Sequence, residues 1–133
     1  MKKKIFMVLV VIFLLSGISY AEEMSMRCGC KFETCANELG VGKLNEPYLF
    51  VIDTSTDSDV ATKYTKDGRA VEVLMVSNSQ GGISFLEVTK SGGIITTTID
   101  LHGTAVYSRN VVLQGKLLPT QCYGQCICKD LKE

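Results

Sequence analysis

The residues with the most evident chemistry are sulfurs, and they sit at the two ends of the chain. Cys28, Cys30 and Cys35 fall in "MRCGCKFETC" and Cys122, Cys126 and Cys128 in "CYGQCIC", with no thiol between the two groups. Met24, Met26, Cys28 and Cys30 alternate strictly. In an extended segment residues i and i+2 share a face, so two thioethers and two thiols would line up as a soft donor set suited to Cu(I). The competing chemistry is oxidation. Six thiols in a small exported chain form three disulfides, which consumes the thiolates a metal would need.

Spacing narrows the 15 possible pairings. Joining the ends of a C-x-C is strained, which disfavours Cys28–Cys30 and Cys126–Cys128. Facing residues of an antiparallel pair have position numbers with a constant sum. Cys28 with Cys128 and Cys30 with Cys126 both total 156, and Cys35 with Cys122 totals 157. Two bridges then share one register and one face of adjacent terminal strands. The third is one residue out of step, as a bulge after Phe32 would make it. The expected connectivity is therefore nested: Cys28–Cys128, Cys30–Cys126 and Cys35–Cys122.

Oxidation requires export, and the first residues supply the address. Lys2, Lys3 and Lys4 precede an unbroken apolar run from Ile5 to Leu15, and small residues lead to Ala21. That layout fits a cleaved secretory signal over residues 1–21; the run is too short to span a bilayer, which takes about 20 residues. A single domain, 22–133, follows, placed in the periplasm or outside the cell with no lasting membrane insertion. Loss of three lysines leaves 11 basic against 14 acidic side chains, a formal charge of −3. So mild and mixed a balance points away from nucleic acid as a partner.

Other reactive groupings are sparse. Nucleophilic catalysis needs a base beside the nucleophile, and the one histidine, His102, sits in a His-Gly turn. Glu87 and Asp100 are the remaining candidates for paired carboxylates. No haem, zinc-knuckle or C-x-x-C redox spacing occurs. Gly81-Gly82 and Gly92-Gly93 read as hairpin turns, because no helix follows them to cradle a phosphate. No cofactor is expected.

The elements that position these groups are strands. "YLFVID" (48–53), "ATKYT" (61–65), "AVEVLMV" (70–76), "ISFLEVT" (83–89), "IITTTIDL" (94–101) and "TAVYSRNVVL" (104–113) are separated by turns such as Asp67-Gly68, and a last short strand lies near "KLL". "AVEVLMV" is apolar on both faces, as a strand covered on both sides would be. "ETCANELG" (33–40) reads as one short N-terminal helix stopped by Gly40. The predicted fold is all-β: an antiparallel meander of about seven or eight short strands forming a small barrel or sandwich, its termini joined by disulfides. Phe50, Leu74, Phe85 and Leu86 are expected to fill its interior.

Glu87, Thr96, Thr98, Asp100, Tyr107 and Arg109 would converge on one sheet surface if the hairpins align, a polar row suited to a protein or glycan partner. The leading expectation is a non-enzymatic exported domain that binds a protein or envelope component, inhibition of an extracellular hydrolase being one version by analogy. The alternative is a periplasmic copper carrier using Met24, Met26, Cys28 and Cys30. A hydrolase ranks third.

Overall fold

The computed structural model describes residues 25–55 and 58–131. The expected leader, Met24 and part of the polar loop after residue 55 lie outside the described residues. The described residues form eight strands: β1 (Ser25–Asn37), β2 (Gly40–Ser55), β3 (Val60–Thr65), β4 (Ala70–Ser77), β5 (Ile83–Val88), β6 (Ile94–Ile99), β7 (Thr104–Leu113) and β8 (Lys116–Asp130). Each pairs antiparallel with the next, and β8 returns to pair with β1, so the sheet closes into an up-and-down barrel. Closure removes the free edges that a Val/Ile/Thr-rich sheet would otherwise present for aggregation.

The seam between first and last strand carries all six cysteines. Cys28 faces Cys128, Cys30 faces Cys126 and Cys35 faces Cys122, with a bulge between Phe32 and Thr34 that accounts for the one-residue offset. All three facing pairs are disulfide-bonded, across Cα separations of 4.0, 4.0 and 3.9 Å. The cysteines thus weld the two ends of the meander into a cylinder.

Inward positions alternate along every strand and fill the lumen. Phe32, Ile52, Val73, Phe85, Ile99 and Ala105 are buried there, as are Cys28, Cys30, Cys122 and Cys126. Eight strands enclose a space just wide enough for side chains to pack, so most of the interior is core rather than channel. A barrel wall has only one dry side, which corrects the expectation for β4. Val73 is buried, but Leu74 and Val76 face outward, 45% and 52% exposed. Of the four large residues expected inside, Phe50 and Phe85 are, whereas Leu74 is exposed and Leu86 half-buried.

The expected helix over 33–40 does not form. β1 runs on through Asn37, and Thr34, Cys35 and Ala36 pair with Tyr123, Cys122 and Gln121. The Cys35–Cys122 bridge and two ladder partners outweigh a helix propensity that is marginal over so few residues. Asn37 Oδ1 instead accepts the Leu39 N–H at 2.8 Å, and Gly40, with φ +122°, turns the hairpin.

Four other hairpins repeat one device. In each, Thr65, Asn78, Thr89 or Asp100 opens the turn, and its carbonyl accepts the N–H of a glycine three residues on. Those glycines (68, 81, 92 and 103) have φ between 87° and 89°, a left-handed conformation that costs other residues strain. The opening side chain caps the turn: Asp100 Oδ1, for instance, accepts the N–H of His102 and of Thr104. The short strands β3 to β6 end in these turns, while β1, β2, β7 and β8 run past them. The tips of the two long hairpins are joined by a Lys116–Glu38 ion pair at 3.4 Å. One end of the barrel therefore has a raised wall on one side and low turns on the other.

Candidate functional site

The low-walled end opens into a cavity of about 1160 Å³. Its floor is an aromatic cluster. Inward alternation on β1, β2 and β7 brings Phe32, Phe50 and Tyr107 together, with ring centroids 5.5 to 6.0 Å apart. Tyr48, two residues before Phe50 on β2, meets the Tyr107 ring in a tilted contact at 5.6 Å and stands exposed at the rim. It holds that place because Leu44–Pro47 bow out of the ladder: Phe32 pairs with Tyr48, but Thr34 pairs with Lys43. Pro47, which has no N–H for a ladder, belongs in such a bow.

Lys63 is the unexpected member of the cluster. It sits inside, between buried Ala61 and the β3–β4 turn, and its Nζ lies 2.8 Å from Glu87 Oε1. The two side chains are only 9% and 13% exposed. The ammonium also rests over the Phe50 and Tyr107 rings, 4.8 and 5.5 Å from their centroids. Ring faces attract a cation, and a carboxylate partner offsets the desolvation that a buried charge would otherwise cost.

Among the expected site residues, Glu87, Tyr107 and Arg109 line this cavity together. Tyr107 and Arg109 share a face as i and i+2 on β7, Tyr107 within the barrel and Arg109 at its lip. Thr96 and Thr98 do not join them. They lie on the outer face of β6, where Thr98 hydrogen-bonds Ser84 at 2.9 Å. Asp100 caps the β6–β7 turn at the opposite end, and His102 is exposed in that same turn. The row does not converge because Thr96, Thr98 and Asp100 have the opposite parity to the inward Ile95, Thr97 and Ile99.

No family model, curated protein or solved structure matches this chain. Glu87 is engaged by Lys63. The Tyr107 phenol is pushed up to about 12, chiefly because burial strips water from the phenolate; Tyr48 and Glu87 add to this and Arg109 opposes it. At neutral pH the phenol is thus a hydrogen-bond donor, not a base.

The tyrosine makes a pH prediction. An unfolded tyrosine ionises near pH 10, so the stability gained by keeping Tyr107 neutral is complete below about pH 10. It is lost as pH rises toward 12, by roughly 2–3 kcal/mol. Urea unfolding at pH 8 to 12 should show Tyr107→Phe losing less stability over the alkaline range than the parent; equal losses would contradict the assignment.

The sulfur row is laid out differently from a four-ligand site. The sulfurs of Cys28 and Cys30 are bonded to Cys128 and Cys126, and Met26 packs against the core. Among the described residues no cluster of three or more His, Cys, Asp or Glu side chains is placed to hold a metal ion.

Proposed function

We propose that this protein is an exported, non-enzymatic binding domain in which a disulfide-closed barrel holds its open end as a rigid cup for a protein or an envelope component. The observation that carries this is the cavity of about 1160 Å³ floored by Tyr107 and the Lys63–Glu87 pair. Polar groups converging beside aromatic rings in an open cavity are the mark of a ligand pocket. Preorganisation supports the same reading, since a covalently closed wall has little conformational entropy left to lose on binding.

An oxidising location follows from the three disulfides. Among the described residues no helix is long and apolar enough to cross a membrane. The outer face carries ion pairs such as Arg27–Asp53 (2.7 Å) and Lys31–Glu33 (2.9 Å) among exposed apolar residues such as Leu74 and Val76, and charge on that face is costly for a barrel wall in lipid. Periplasm or extracellular space is the proposed setting.

Blocking the cup tests the function. Val71 points inward at the mouth, and Val71→Trp should fill the space without adding charge, whereas Thr98→Trp adds the same bulk to the outer wall. With the oxidised domain immobilised against native envelope extract, capture should fall at least tenfold for Val71→Trp and stay unchanged for Thr98→Trp. Undiminished capture by Val71→Trp would overturn the proposal.

A further inference from the structure

We propose that the cup takes a monoanionic carboxylate carrying an apolar body, the carboxylate meeting the Tyr107 hydroxyl and the Arg109 guanidinium; this deepens the binding function above and rests on it. The first observation is an unused donor. Tyr107 is 6% exposed, yet its hydroxyl makes no hydrogen bond among the described residues. It is not sealed in, because no fully buried side-chain N or O among the described residues lacks a partner. The hydroxyl therefore opens onto the cavity that Tyr107 lines, a donor held by a packed ring and waiting for an acceptor.

The second observation is charge. Five cations line the mouth among the described residues: Lys63 is neutralised by Glu87 at 2.8 Å and Arg69 by Asp67 at 3.2 Å, while Lys66, Lys90 and Arg109 are in no ion pair there. Arg109 makes neither an ion pair nor a hydrogen bond among the described residues. It is two residues beyond Tyr107 on the same face of β7, and close enough for its charge to act on the phenol. A guanidinium fork and a phenolic O–H side by side suit the two oxygens of one carboxylate. Of the three unpaired cations, Arg109 is the one whose charge acts on that hydroxyl, and one such charge beside it matches a single negative charge better than the two of a phosphate monoester. The rest of the ligand would lie on apolar lining, the exposed ring of Tyr48 with Val71 and Ile95.

The probes are 4-phenylbutanoate and the uncharged 4-phenylbutan-1-ol, titrated into the oxidised barrel and followed by amide chemical shifts. The carboxylate should bind at least tenfold more tightly than the alcohol, with shifts concentrated on β7 around Tyr107 and on the turns at 65–69 and 89–93. Arg109→Gln, a change at an exposed site, should abolish the preference. Tyr107→Phe, nearly equal in volume, should weaken the carboxylate about threefold or more and leave the alcohol unchanged. Equal affinity for the two probes, or a preference that survives Arg109→Gln, overturns the carboxylate assignment. If neither probe binds while Val71→Trp still abolishes envelope capture, the cup stands and its ligand class falls. Shifts that map outside the mouth overturn both.

Discussion

Reducing all three disulfides should unfold this barrel. Cys28–Cys128, Cys30–Cys126 and Cys35–Cys122 join residues 100, 96 and 87 positions apart. In the chain-entropy description, the first such bridge restricts the unfolded chain by about 4–5 kcal/mol, because it closes a loop of about 100 residues. Each further bridge closes only a short ring against the first and adds about 2–3 kcal/mol. Together they contribute on the order of 10 kcal/mol, comparable to the whole stability of a typical small domain. Replacing any one pair by alanine should therefore leave a folded but weaker barrel. Replacing all six cysteines, or reducing the protein, should abolish the cooperative urea transition followed by circular dichroism. A reduced protein with an unchanged transition midpoint would contradict this.

The second large effect is expected at a glycine inside the seam. Gly124 lies between Cys122 and Cys126 on the inward face of β8, opposite Phe32 on one side and Ala105 on the other. A Cβ there would clash with the Lys31 carbonyl oxygen and stand 2.7 Å from Phe32 Cα. Both are backbone atoms, at the point where the β1 bulge brings the main chain over β8. Neither can swing aside, and the bridges above and below hold the two strands in register. Gly124→Ala should thus cost on the order of 4 kcal/mol, at the upper end for a single substitution. Gly29→Ala is the control within the same seam: its Cβ would meet nothing within 4 Å, and stability should move by less than about 1 kcal/mol. Equal effects of the two changes in urea unfolding would show that close approach at Gly124 does not constrain the seam.

Much of the architecture was legible because its strongest constraint is covalent and linear in sequence. A constant position sum identifies facing residues of an antiparallel pair, and the offset at Cys35 and Cys122 locates the bulge after Phe32. The turns were legible from glycine. Residues 33–40 misled because local propensity says nothing of a partner strand 87 positions away. β4 misled because apolar side chains on both faces of "AVEVLMV" suit a covered strand, while a single-walled barrel tolerates them outside. The site was half legible. Glu87, Tyr107 and Arg109 stood out as polar groups in apolar strands, but whether they shared a face with Thr96, Thr98 and Asp100 depended on parity in each strand. Lys63 was hidden by its neighbour, because "ATKYT" invites Tyr64 inward and the lysine out. Register would have shown otherwise: with the Asp67-Gly68 turn fixed, Ala61 faces Val73, and that small apolar pair marks the inner face that Lys63 shares.

The covalent seam is tested most directly by peptide mapping of the protein alkylated without reduction. Trypsin cuts after Arg27, Lys31, Lys43, Lys116 and Lys129, so the account predicts one linked species containing peptides 28–31, 32–43 and 117–129, with fragmentation assigning Cys28 to Cys128, Cys30 to Cys126 and Cys35 to Cys122. Peptide 28–31 released with its own internal bridge, or alkylated cysteines in any of the three, would contradict it.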